Sequence, residues 1–206
     1  MPIAGGEAVN ESMSAKGRIV IISGPSGVGK SSICRELVKR FENVCLSVSL
    51  TTRPIGKVEA DGKDYWFVSE QEFKQRVRKG RLLEYAEVFG HLYGTPKDKV
   101  DEALKGGKTV LLEIDVQGAR KVKSKYPDAV MVFIFPPSQR DLVQRMSGRG
   151  RGEGGEAAEQ RLSGAPSEMA AAWQYFEHMV INDQLEQAVN EVAEVIRETQ
   201  LQQEKV

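Results

Sequence analysis

At 206 residues, with 40% apolar and 28% charged side chains, the chain can bury one sizeable core carrying inserts and is too apolar to stay disordered. Its 29 Lys and Arg offset its 29 Asp and Glu, for a formal charge of zero; this argues against a general nucleic-acid or membrane-surface binder, which needs a basic excess, but not against a small anion held by local arginines. No apolar run approaches the roughly 20 residues that span a bilayer, and two cysteines without CxxC spacing suit a reducing cytoplasm rather than a disulfide framework or zinc site.

Residues 1–17 are small and polar, with no hydrophobic stretch, so a flexible extension is expected rather than a secretory signal. Residues 18–23 form a β-branched apolar run that fits a strand buried on both faces. A glycine-rich turn comes next, and then Ile33, Leu37 and Phe41 recur at helical spacing. Residues 46–50 alternate weakly and read as a second strand, and residues 56–63 as a polar loop. Ser69-Glu70-Gln71-Glu72 is a capping box opening a helix that stops at Gly80. Thr95-Pro96 reads as an N-cap with proline at the first helical position, ahead of an inner face of Val100, Ala103 and Leu104.

Residues 109–114 and 129–135 are two further apolar strands around a helix at 117–125, and residues 138–146 are helical. Residues 147–155, rich in glycine and arginine, cannot pack a core and read as a mobile surface segment. Gly164 and Pro166 predict a helix break or kink between that segment and residue 179. A short strand at 179–181 leads into the last helix, where Leu185, Ala188, Val189 and Val192 share a face. Strands alternating with helices predict an α/β protein whose largely parallel sheet is flanked by helices.

Gly24-Pro25-Ser26-Gly27-Val28-Gly29-Lys30-Ser31 fits G-x-x-x-x-G-K-[ST] between a predicted strand and a predicted helix. Gly27 and Gly29 let backbone amides turn inward around phosphate oxygens, and the helix N-terminus adds partial positive charge. Lys30 reaches the β- and γ-phosphates, and the Ser31 hydroxyl suits Mg²⁺. Asp115-Val116-Gln117-Gly118 also fits the D-x-x-G of GTP-hydrolysing switches, but no N-K-x-D guanine signature accompanies it, so that alternative is weak.

Between the first helix and residue 109 the chain is dense in polar groups suited to a second ligand. These are Ser47-Val48-Ser49-Leu50-Thr51-Thr52-Arg53, Gly62-Lys63-Asp64-Tyr65, Leu83-Glu84-Tyr85 and Leu92-Tyr93-Gly94-Thr95. With Leu112-Glu113-Ile114-Asp115-Val116-Gln117-Gly118, they resemble the guanylate kinases, over a stretch from about residue 18 to the C-terminus.

The resemblance implies a P-loop NTPase-type sheet, and transfer of the γ-phosphoryl group of ATP to GMP or dGMP with Mg²⁺. Glu84 resembles the carboxylate that accepts guanine N1–H and the 2-amino group, where adenine would present a lone pair. Ser49 and Thr95 resemble hydroxyls completing guanine and phosphate recognition, and Asp115 a further base contact. Arg53, Tyr65 and Tyr93 resemble the clamp on the GMP phosphate. Taken singly, the two tyrosines also read as half-buried strand aromatics, Glu84 as a solvated helix-end charge, and Ser49 and Asp115 as capping groups. The joint spacing favours the ligand readings.

Arg145, Arg149 and Arg161 resemble lid arginines that close over the phosphate chains, with Arg151 a weaker candidate. Glu113 ends a strand beside the phosphate loop, where a carboxylate suits Mg²⁺ through water, and Asn182 resembles the segment near adenine or, equally, an N-cap. One departure stands out. The family pattern after T-T-R brings a second arginine three residues on, where this chain has Gly56 and then Lys57. Weaker GMP binding is therefore expected, unless Lys57 substitutes as a point charge.

The resulting organisation is a flexible extension (1–17), core (18–48), GMP-binding insert (49–95), core (96–146), lid (147–163) and core (164–206). The expected partners are ATP and GMP, with no nucleic acid or membrane. A phosphopeptide-binding module built on the same fold is a competing reading, disfavoured by Lys30, Arg145 and Arg149. A kinase for another monophosphate is disfavoured by Glu84 with Ser49.

Overall fold

The computed structural model describes residues 17–147 and 155–201. The extension at 1–16 and the candidate lid arginines Arg149 and Arg151 lie outside the described residues, as does the side chain of Arg161. In chain order, β1 (Arg18–Ser23) and α1 (Lys30–Arg40) are followed by β2 (Val44–Leu46), β3 (Leu50–Thr51), β4 (Trp66–Phe67) and α2 (Glu70–Arg78). Then come β5 (Leu82–Val88), β6 (His91–Pro96), α3 (Lys97–Lys105), β7 (Thr109–Glu113) and α4 (Val116–Lys125). The last elements are β8 (Val130–Phe135), α5 (Gln139–Ser147), α6 (Gly155–Tyr175), β9 (His178–Ile181) and α7 (Leu185–Leu201).

Five parallel strands form the main sheet in the order β2-β7-β1-β8-β9. The continuous apolar run of β1 reflects burial on both faces. Val20 and Ile22 pack with Ile33 and Leu37 of α1 and Val189 and Val192 of α7. Ile19 and Ile21 pack on the other face with Val100, Ala119, Val122 and Phe133. The phosphate loop leaves the carboxyl end of β1, the edge where open α/β sheets bind ligands.

A second sheet, β4-β3-β6-β5, is built from strands between Leu50 and Pro96 and closes on a small core of Leu50, Phe73 and Leu82. Lys121 and Lys125 of α4 donate to the carbonyls of Tyr85 and Leu83, tying the main body to β5.

Five local expectations are corrected. The segment 46–50 is not one strand: β2 joins the main sheet and β3 the second, with the chain crossing between them at 47–49. Thr95 does not cap α3; it ends β6 with its hydroxyl on Glu84, and Pro96 takes the N-cap position, extended at φ −61° and ψ 118°. α6 runs unbroken through Gly164 and Pro166, because the tertiary packing of Ala165 and Ala172 overrides local propensity. Leu185 is 41% exposed, so the inner face of α7 begins at Ala188. Asn182 lies two residues before Gln184 and caps nothing; its amide turns to the phosphate loop.

Candidate active site

The phosphate loop turns through left-handed backbone at Gly27 (φ 87°) and Gly29 (φ 108°), a conformation open to glycine at little cost. Asn182 braces it from behind: its Nδ2 donates to the Val28 carbonyl at 2.8 Å, so close that a Cβ on Gly29 would stand 2.3 Å away. The Lys30 ammonium folds back over the loop and donates to the carbonyls of Gly24 and Pro25. Ser31 Oγ donates to Glu113 Oε1 at 2.7 Å, joining the helix start to the end of β7.

The opposite wall belongs to the second sheet. Leu82 pairs with Pro96 and Tyr85 with Gly94, so two residues of β5 stand opposite Thr95. This bulge turns both Leu83 and Glu84 inward, which strict alternation forbids. Glu84 is 5% exposed and its Oε1 accepts from the Thr95 hydroxyl at 2.7 Å. Burial, aided by the charge of Asp115, pushes its carboxyl up to about 7, against the opposing pull of Thr95 and Lys121. A solvated helix-end charge is thus ruled out for Glu84.

Arg53 is fixed beside it. Burial pulls its pKa down, but the bonds to Glu59 and Tyr93 outweigh that and hold the guanidinium firmly charged. Nη2 donates to Glu59 Oε1 at 2.8 Å and Nη1 to the Pro54 carbonyl, while the guanidinium lies 5.6 Å from the ring centres of Tyr65 and Phe67. Tyr65 and Tyr93 meet edge to face at 5.9 Å. Gly56 donates its amide to Glu59 Oε2, and Lys57 is exposed.

Most of the sequence-predicted residues converge on one cleft. Gly24, Ser26, Gly27, Lys30, Ser31, Glu113 and Asp115 face Ser49, Arg53, Tyr65, Glu84 and Tyr93 across it. Thr95 stands behind Glu84. Asp115 also caps α4, its Oδ1 accepting from Gly118 N at 2.7 Å, as its capping reading expects, and it lines the cleft as well.

Arg145, Asn182 and Gly29 lie elsewhere. Arg145 and Asn182 line a second cavity on the other side of the phosphate loop, with Gly29, Ser32, Asp183 and Leu185. Arg145 Nη1 donates to the Asn182 carbonyl at 2.8 Å there, away from Lys30.

Sequence reading missed two acidic groups. Glu59 holds Arg53 at 2.8 Å; a carboxylate six residues after the clamp arginine was the available signal. Glu168 reaches the cleft from α6, where burial, with Asp115 adding to it and Lys30 opposing, raises its carboxyl above the ordinary range. No local pattern marks it.

A family model described as guanylate kinase matches residues 16–199. The guanylate kinase of Thermotoga maritima is 46% identical over 182 residues, covering 88% of this chain and 87% of that protein. That of Thermosynechococcus vestitus is 46% identical over 173 residues, covering 84% and 90%. Among solved structures, the crystal structure of guanylate kinase from Anaplasma phagocytophilum superposes with a TM-score of 0.75 at 33% identity, over 90% of this chain and 87% of the other.

Proposed function

The chain belongs to the guanylate kinase family, and from that membership we propose how its own residues divide the transfer of a phosphoryl group from ATP to GMP. The activity is that of the family: ATP and GMP give ADP and GDP. The assignment of residues to steps rests on the cleft.

The triphosphate lies in the phosphate loop, gripped by its inward amides and by Lys30 once that ammonium exchanges the carbonyls of Gly24 and Pro25 for phosphate oxygens. The adenine end extends into the second cavity beside Arg145 and Asn182. GMP occupies the opposite wall. Glu84 accepts from N1–H and the 2-amino group, with Ser49, Thr95 and Asp115 around the base, and Arg53, Tyr65 and Tyr93 hold the phosphate.

The GMP phosphate oxygen is already anionic, so no general base is required. It attacks the γ-phosphorus while the bond from phosphorus to the β–γ bridging oxygen breaks, leaving ADP. Catalysis consists of alignment and neutralisation of the charge on the moving group, by Lys30 and by Arg149 and Arg161 of the lid. The Ser31 hydroxyl and Glu113 carboxylate, 2.7 Å apart, form an oxygen-only pair that fits Mg²⁺. Ser31 and Glu113 would hold such an ion, which would supply charge neutralisation. The two free cysteines and the nucleotide substrates suit the cytoplasm.

The observation that carries this reading is Glu84, a buried carboxyl on a bulge, facing a phosphate loop. A coupled assay of ATP against GMP, dGMP, AMP, UMP and dTMP tests it. GMP and dGMP are expected to turn over, and equal use of AMP contradicts the reading.

A further inference from the structure

Gly118 is the third residue of α4 after the Asp115 cap, and it is buried. Glycine inside a helix costs about 1 kcal/mol relative to alanine. Its φ is not among the left-handed values that explain other glycines of this chain. Its surroundings do account for it. A Cβ built there would lie 2.7 Å from Oε2 and 3.1 Å from Cδ of Glu84, and 3.4 Å from Oδ1 of Asp115.

The backbone at this point has no freedom to yield, because the Gly118 amide is held by Asp115 at 2.7 Å. The Glu84 carboxyl thus has Oε1 on the Thr95 hydroxyl and Oε2 in the space that a side chain at 118 would fill. The helix N-terminus adds partial positive charge on the Gly118 side, which favours a carboxylate there.

We infer that Gly118 is a positioning residue for purine selection: its missing side chain is the space in which Glu84 seats to face the base. The inference rests on the reading of Glu84 as the group that accepts the guanine donors. A methyl at 118 meets only the far end of a side chain, so the fold absorbs it by moving that end. The atom that moves is the one that reads the purine.

The experiment measures steady-state kinetics and melting temperature for Gly118→Ala, Glu84→Gln and the double variant, with ATP and GMP and with AMP as alternative acceptor. Gly118→Ala is expected to raise the GMP KM about tenfold, with kcat within twofold, the ATP KM unchanged and the melting temperature equal or higher. The double variant is expected to bind GMP no worse than Glu84→Gln alone, since both changes act on one carboxylate. An unchanged GMP KM in Gly118→Ala, a parallel loss of kcat and ATP binding, or full additivity in the double variant overturns the inference. Should Gly118→Ala fail to fold, adding Glu84→Ala restores a melting transition on this account, and continued failure overturns it. If Glu84→Gln itself leaves GMP binding and selection intact, the underlying reading of Glu84 fails, whatever Gly118 does.

Discussion

Burial pushes the Glu84 carboxyl up to about 7, so near neutrality only part of the protein holds it as the anion that the proposed reading of guanine requires. GMP binding must therefore expel the proton from the rest, and the GMP KM is expected to rise as pH falls through about 7 by more than the ATP KM does. Glu84→Gln, which does not titrate, flattens the difference. Stability runs in the opposite direction. The folded-state carboxyl sits above its ordinary value, so its contribution is fully present below about pH 4.5 and is lost as pH rises to about 7. Melting temperatures at pH 5 and pH 8 are expected to differ more in the wild type than in Glu84→Gln.

The phosphate clamp has a similarly local logic. Glu59 and Arg53 form a pair with side chains 6% and 10% exposed, so Glu59→Ala leaves a buried guanidinium uncompensated. A loss of about 3 kcal/mol in chemical denaturation, with a raised GMP KM, is expected. Gly56→Arg adds a second guanidinium fork near Arg53, and the GMP KM is expected to fall. Its Cβ would stand 2.8 Å from Glu59 Oε2, so the gain comes with a lower melting temperature. Arg53 and Gly56 were legible because their motif is short and contiguous, whereas the role of Glu59 shows only in its bond to Arg53. Glu168 was not legible, since only the approach of α6 to the cleft gives it meaning.

Elements whose signals are local match the sequence reading closely: the apolar run of β1, the Ser69 cap of α2 and the phosphate loop. The misread ones depend on distant partners. Residues 44–51 form two short strands because two different sheets claim them, which no periodicity of eight residues encodes. The β5 bulge reads as broken alternation until Thr95 is opposite it. In α6, Gly164 and Pro166 argue for a break, yet the helix continues. A Cβ at Gly164 meets nothing within 4 Å, and its φ is not left-handed. Gly164→Ala is accordingly expected to stabilise the protein by about 0.5–1 kcal/mol, raising the melting temperature by roughly 1–4 °C with the Michaelis constants unchanged.

At the scale of the molecule, two sheets with separate cores face each other across a charged cleft, and the proposed function seats the triphosphate against one and the purine monophosphate against the other. Water is a competing phosphoryl acceptor, so a kinase of this design gains by closing only when both nucleotides are bound. Small-angle scattering is expected to show compaction with GMP and a non-hydrolysable ATP analogue together and less with either alone; no compaction with both contradicts closure.

The proposed function turns on one carboxyl group choosing between purines, and the most direct measurement is the ratio of kcat/KM for GMP to that for AMP in Glu84→Gln beside the wild type. Replacing the anion by an amide places a donor against guanine N1–H, and the ratio is expected to fall roughly 100-fold with the ATP KM unaltered. A ratio that stays where the wild type has it contradicts the account.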